Sequence, residues 1–292
     1  MIEMPDGEPV AFTQGARDAS PRFSPDGRSL AFLRRDDKKR RQVWVMGALG
    51  GEARRLTELP GGVTELQWSP DSRSIAVVSD VDPDRPPGNH DPEKEPRVVV
   101  ARRIRYRQDV EGWRGDAHHH IFVVDVNDGS VRQLTDGDWD DSAPAWSPDG
   151  QRIAFISGRR ADRDLWALTE VYVVPTSGGE PVMWSEGLYS VAALGWSPDG
   201  TKLVSVASDL MEGSVSYQGW LSVLQPGQAP RRLTDDSLKP VAGFPPQGPF
   251  TRLWWTDEDR VLFLADARGE TFFCSVPAGG GDVRRIAGGG SQ

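Results

Sequence analysis

The chain has 292 residues, 34 of them basic and 43 acidic, and its net charge of −9 at neutral pH disfavours wholesale binding to nucleic acid or to an anionic membrane surface. A hydrophobic fraction of 37%, about 48% once glycine is counted, is that of an ordinary globular protein able to build a core. The 32 glycines and 23 prolines imply many turns, no window carries the roughly 18 consecutive apolar residues of a membrane span, and the single Cys274 has no partner for an internal disulfide.

At the start, MIEMPDGEPV has neither a basic n-region nor an apolar h-region, so a cytoplasmic protein is expected. Residues 2–13, IEMPDGEPVAFT, align without a gap on residues 124–135, VDVNDGSVRQLT, sharing an Asp-Gly turn and a final threonine. The chain is therefore expected to begin inside a repeat. The repeat itself is an aromatic residue followed by Ser-Pro-Asp-Gly. It occurs at Phe23-Ser-Pro-Asp-Gly27, Trp68-Ser-Pro-Asp-Ser72, Trp146-Ser-Pro-Asp-Gly150 and Trp196-Ser-Pro-Asp-Gly200, with a decayed copy at Trp255-Thr-Asp-Glu-Asp259. Ser-Pro-Asp-Gly suits a type I turn: proline pre-sets φ, aspartate bonds its own backbone and glycine accepts positive φ. Ser72 stands where three sister repeats have glycine, so positive φ or a reshaped turn is expected there. Each turn precedes an apolar run, from Leu30-Ala-Phe to Val261-Leu-Phe-Leu, so each unit opens with a hairpin.

A second half follows in every copy: a strand, a turn containing glycine, and a strand ending in Leu-Thr or its relic. The five are Val43-Trp-Val to Thr57, Ile121-Phe-Val-Val to Thr135, Val171-Tyr-Val-Val to Trp184, Leu221-Ser-Val-Leu to Thr234 and Phe272-Phe-Cys to Ala287. Units of four strands at steps of 45, 78, 50 and 59 residues predict an all-β fold, a β-propeller of four-stranded blades. A β-sandwich would not reproduce one turn at one offset so often. The expected organisation is a single domain over 1–292, with five full repeats at about 14–57, 58–135, 136–184, 185–234 and 235–287. Residues 1–13 would end a preceding blade. Five units could close a small ring, but the partial leading blade favours part of a larger, seven-bladed parent.

The 78-residue step hides an insertion over 80–117. It opens on a proline-rich acidic stretch, Asp82 to Pro92, and continues as Arg97-Val-Val-Val-Ala-Arg-Arg-Ile-Arg-Tyr-Arg107. Read as a strand, alternation puts Arg103, Arg105 and Arg107 on one face and Val98, Val100, Ile104 and Tyr106 on the other. Such a row of guanidiniums would pair with a peptide C-terminus or an acidic side chain; the competing reading is a charged edge strand that deters aggregation. Arg103, Arg105, Tyr106 and Arg107 are the candidate substrate or interface residues.

The remaining motifs point away from catalysis by these residues. There is no Gly-x-Ser-x-Gly elbow, and all four histidines, His90, His118, His119 and His120, precede the segment where a Ser-Asp-His order would place one. Hydrolysis of acyl-amino-acid substrates by this chain is not expected. No metal or cofactor is expected either. On a strand only His118 and His120 share a face, and neither has an obvious carboxylate or thiol companion on the next strand. Asp136-Gly-Asp-Trp-Asp-Asp141 starts like an EF-hand loop but lacks its glycine and glutamate, and reads as a solvated inter-blade loop. Gly279-Gly-Gly281 joins two strands rather than a strand to a helix, and Cys274 lies in an apolar strand as a buried small hydrophobe.

The stretch Pro96-Arg-Val, Arg105-Tyr-Arg-Gln-Asp-Val-Glu-Gly112, His120-Ile-Phe-Val-Val-Asp-Val126, Arg132-Gln-Leu-Thr-Asp-Gly-Asp-Trp-Asp-Asp141 and Ala145-Trp-Ser-Pro-Asp-Gly150 resembles the propeller of acylaminoacyl peptidases in the prolyl oligopeptidase family. The resemblance covers nearly the whole chain. It implies a seven-bladed propeller capping an α/β-hydrolase domain that carries the Ser-Asp-His triad, and so a non-catalytic part that admits short peptides and gates access to a catalytic partner. The sequence departs from the family in having no such hydrolase segment. TolB-like propellers share the Ser-Pro-Asp-Gly repeats, which leaves a free-standing protein- or peptide-binding scaffold as the alternative.

Overall fold

The computed structural model describes residues 12–15, 17–83, 100–108, 112–166, 168–209, 219–240 and 253–288, and these contain β-strands, turns and no α-helix. The strands form five sheets in chain order, each an antiparallel meander. The first comprises β1 (Ala19–Phe23), β2 (Ser29–Arg35), β3 (Arg41–Gly47) and β4 (Arg54–Arg55). The second has β5 (Glu65–Trp68) and β6 (Ser74–Val81). After a small hairpin of β7 (Arg107–Gln108) and β8 (Gly112–Trp113), it resumes with β9 (His118–Asp125) and β10 (Val131–Gln133). β11 (Asp141–Trp146), β12 (Arg152–Ser157), β13 (Glu170–Pro175) and β14 (Val182–Met183) build the third. The fourth holds β15 (Tyr189–Trp196), β16 (Leu203–Ser208), β17 (Trp220–Leu224) and β18 (Arg231–Arg232). In the fifth, β19 (Lys239–Pro240) and β20 (Trp254–Trp255) both pair with β21 (Arg260–Ala267), followed by β22 (Glu270–Pro277) and β23 (Arg284–Gly288).

The second, third and fourth sheets bury both faces, so their middle strands are largely apolar and buried on both sides, whereas β21 of the fifth alternates buried and part-buried positions. Ile75 and Val77 pack on Leu33 and Val45 of the first sheet. Their neighbours Ala76 and Val78 pack on Ile153 and Phe155 of the third. The same arrangement repeats onward, with Ala154 and Ile156 against Leu203 and Ala207, then Val204 and Val206 against Val261, Phe263 and the fully buried Cys274. Sheets stacked radially in this way are the blades of a β-propeller. The first strands, β1, β5, β11, β15 and β20, touch one another in turn and line the axis.

The repeat motif acts at two levels. Within each of the first four blades the serine hydroxyl donates to the turn aspartate at 2.5–2.6 Å, and that aspartate accepts the backbone N–H two residues on. The fifth position has positive φ throughout, at Gly27 (71°), Gly150 (69°), Gly200 (68°), Ser72 (61°) and Asp259 (57°). Between blades, the repeat tryptophan donates its indole N–H to the inner strand of the blade before: Trp68 to Arg22 O at 3.0 Å, Trp146 to Gln67 O at 3.1 Å and Trp196 to Ala145 O at 2.9 Å. Trp255 breaks the series by turning back on Asp259 of its own turn.

The Leu-Thr ending has its own task. Thr57, Thr135 and Thr234 accept a backbone N–H of the adjoining third strand, at Val43, Ile121 and Leu221. In the third blade Ser185 does the same for Val171 at 2.8 Å. Sequence reading stopped that repeat at Trp184 and missed it, although Trp184-Ser185 aligns with Leu-Thr.

Candidate functional site

The hairpin turns of the repeat lie on one face of the propeller, so the connections between second and third strands and those between blades lie on the other. Three such segments meet there: the insertion between β6 and β9, the acidic connection from β10 to β11, and residues 158–169 between β12 and β13. What joins them is charge.

Arg114 is the central bolt. Its side chain is only 8% exposed and pairs with Asp80 at 2.7 Å and Asp140 at 2.9 Å, and it donates to Ala117 O at 3.1 Å. Arg103 pairs with Asp116 at 3.1 Å, with Asp138, and with Asp164 at 3.8 Å. Arg163 donates to the Asp138 carbonyl at 2.7 Å and pairs with its carboxylate. His118 Nε2 lies 3.2 Å from Asp138. The His119 backbone N–H donates to Asp140 at 2.8 Å. Burial works to raise the Asp140 carboxyl, but the imidazole of His118 and the charge of Arg114 more than offset it and hold the group well below the usual carboxylate range. Deeper still, the fully buried Asp141 receives Arg159 at 3.1 Å and His120 Nδ1 at 3.2 Å.

Two sequence expectations are corrected here. Residues 136–141 are not a solvated loop: Asp138, Asp140 and Asp141 supply counter-charges to the insertion and to β9. For the same reason His118 and His120 do have carboxylate companions, Asp138 from the inter-blade connection and Asp141 from the start of β11, rather than from β10. Among the described residues no group of three or more His, Cys, Asp or Glu is arranged to hold a metal ion.

The arginine-rich run differs from the expectation as well. Residues 103–106 form a bend and turn, so the two-faced strand is absent there; Val100 and Ile104 are 60% and 69% exposed, and Val98 lies outside the described residues. Alternation failed because the chain turns at 103–106 and only Arg107 of the run enters a strand, β7, while β6 is already paired on both sides by β5 and β9. The four candidates separate accordingly. Arg103 and Arg105 line a cleft of about 180 Å³ between the insertion and the third blade, together with Arg114, His118, Trp139 and Trp166. Tyr106 and Arg107 instead belong to the small hairpin, where Tyr106 packs on Trp113 with ring centroids 5.2 Å apart and both rings remain about 40% exposed.

A second concavity of about 430 Å³ runs along the axis, walled by first strands and including Arg22, Glu65, Gln67, Pro144 and Trp254. Glu65 accepts the Ala143 N–H at 3.0 Å across the blade boundary, and burial pushes its carboxyl up to about 7. Ala143 itself takes positive φ (51°) at an irregularity in the β11–β12 register, the kind of bulge that re-aims a strand.

A propeller with a charge-pinned insertion on one face is the class that fold and site define. Residues 102–212 match the family described as the dipeptidyl peptidase IV (DPP IV) N-terminal region. The chain is 35% identical over 179 residues to the uncharacterized peptidase YuxL of Bacillus subtilis (strain 168), a match covering 59% of this chain and 27% of that protein. Among solved structures it is similar to the Pyrococcus horikoshii acylaminoacyl peptidase, with TM-score 0.71 and 18% identity over 99% of this chain and 41% of that one. It is also similar to TolB from Acinetobacter baumannii, with TM-score 0.55 and 16% identity over 92% of this chain and 56% of that one. In sequence and fold the chain is thus similar to peptidase-associated β-propellers, and it spans about a quarter of the length of YuxL.

Proposed function

We propose that the chain is the non-catalytic propeller part of a prolyl-oligopeptidase-like serine peptidase of acylaminoacyl or oligopeptide specificity, gating the access of short peptides to an α/β-hydrolase domain. The observation that carries this reading is the insertion. A regular blade needs no excursion between its second and third strands, and a long loop must offset its closure entropy. Here that cost is met by ion pairs fixing the loop beside Asp141, the residue at which the channel wall of β11 begins. In this reading Arg105, Tyr106 and Arg107 face the peptide route or the domain interface, while Arg103 holds the loop in place.

The coding sequence adjoining residues 1–292 tests the proposal. An α/β-hydrolase segment with a Gly-x-Ser-x-Gly elbow, followed by aspartate and histidine in that order, supports it; a continuation of unrelated pattern overturns it. The likeness to TolB favours a second reading, a scaffold binding a protein or peptide over the channel mouth, and such an unrelated continuation is what that reading requires.

A further inference from the structure

The cleft between the insertion and the third blade carries more hydrogen-bonding capacity than the chain uses. Of the four arginines lining it, Arg103, Arg114 and Arg163 are engaged with carboxylates. Arg105 has no ion pair among the described residues; its Nε donates to the Asp164 carbonyl at 3.3 Å and both Nη groups are unspent. Trp139, on the same cleft, keeps a buried indole N–H without a partner. Its position is fixed: the ring lies so close over Gly137 that an added Cβ would fall within 2.5 Å of it, and Arg159 stacks 4.8 Å from the ring centre. A second buried atom without a hydrogen bond is His118 Nδ1, which faces the Asp140 carboxylate at 3.7 Å.

Buried polar atoms without a hydrogen bond are costly and rare, so two of them beside the unspent Arg105 guanidinium call for an explanation. The guanidinium and the indole are donors only, which makes the missing group an acceptor. A planar guanidinium fork favours a carboxylate over a neutral oxygen. The carboxylates already lining the cleft, Asp138, Asp140 and Asp164, all sit on other arginines, so the newcomer displaces none. Trp166 and Leu168 add apolar wall beside the donors.

We propose that this cleft is a subsite for a carboxylate adjoining an aromatic or large aliphatic side chain, as found in the C-terminal residue of a short peptide. Its volume, about 180 Å³, falls below the roughly 300–1,000 Å³ of a complete ligand pocket and suits one terminal residue. The same chemistry is offered by an acidic residue of a docked protein segment. The proposal deepens the peptide-admitting reading above, but binding is measured on the 292-residue chain without any catalysis, so either idea can fail while the other stands.

The test follows intrinsic tryptophan fluorescence, with calorimetry, while the chain is titrated with three probes: acetyl-Gly-Phe as the free acid, its carboxamide, and acetyl-Asp-Phe-amide. The free acid is expected to bind and the carboxamide not. Arg105→Ala should weaken binding tenfold or more and Arg105→Lys by less, since lysine keeps the charge but loses the fork. Binding of acetyl-Asp-Phe-amide in preference to the free acid keeps the carboxylate subsite and assigns it to an internal acidic residue. Equal binding of acid and amide, indifference to Arg105→Ala, or binding of no probe overturns the proposal. Arg105 lies on a partly exposed turn, and Trp166→Ala, at a 42% exposed ring, provides a second variant that leaves the blades intact.

Discussion

Ser72 is the residue at which the repeat departs from its own rule. It holds φ at 61°, a conformation that disfavours a side chain, yet its hydroxyl accepts the Asp26 N–H of the preceding blade at 3.1 Å. Strain and bond therefore oppose each other. Glycine would relieve roughly 0.5–1 kcal/mol of strain and forgo an exposed bond of about 0.5 kcal/mol, so Ser72→Gly should leave stability level or slightly raised. Ser72→Ala keeps the strain without the bond and should lose about 0.5 kcal/mol. Urea midpoints in the order Gly, Ser, Ala from high to low match this account; alanine above glycine contradicts it. Trp146 gives a larger effect. Trp146→Phe removes the donor to Gln67 O while keeping most of the ring, and should lower stability by about 1–2 kcal/mol, read from the same midpoints.

At the scale of elements, the regular blades were legible in the sequence and the insertion was not, for one physical reason. A turn such as Ser-Pro-Asp-Gly is fixed by residues within five positions of each other, so its pattern reaches the sequence intact. The placement of Arg103, Arg105 and Arg114 depends on Asp138, Asp140 and Asp164, which lie well downstream, on the inter-blade connection and in the β12–β13 loop. The arginines themselves stood out, and so did the acidic run. What joined them was a long-range pairing that alternation cannot express, and Arg114, the most connected of them, had no local signal at all. Its removal should be correspondingly severe. Arg114→Ala removes the guanidinium that Asp80 and Asp140 share and should cost about 2–4 kcal/mol. Limited proteolysis would then cut within 80–117 well before the blades. An insertion as resistant as wild type would show that the ion pairs do not hold it.

For the whole molecule, the axial channel couples stability to pH through Glu65. Its folded carboxyl titrates at about 7, above the ordinary glutamate value of roughly 4.3, so the native state holds the proton more tightly than the unfolded chain. The contribution is then complete below about pH 4.5 and is lost as pH rises through 7. With allowance for solvent screening, the loss is about 1–2 kcal/mol. Glu65→Gln should flatten this slope, and the gap in Tm between variant and wild type should widen in favour of the variant from pH 5 to pH 8. A constant gap would mean that Glu65 is ionised throughout.

The indole bonds between blades all point the same way, from each blade to the one that precedes it in the chain. A blade leaving the ribosome thus finds its acceptor already folded, at Arg22, Gln67 or Ala145, and waits for nothing still unsynthesised. Growth of the propeller is in this sense vectorial, like a wall in which each course rests on the last.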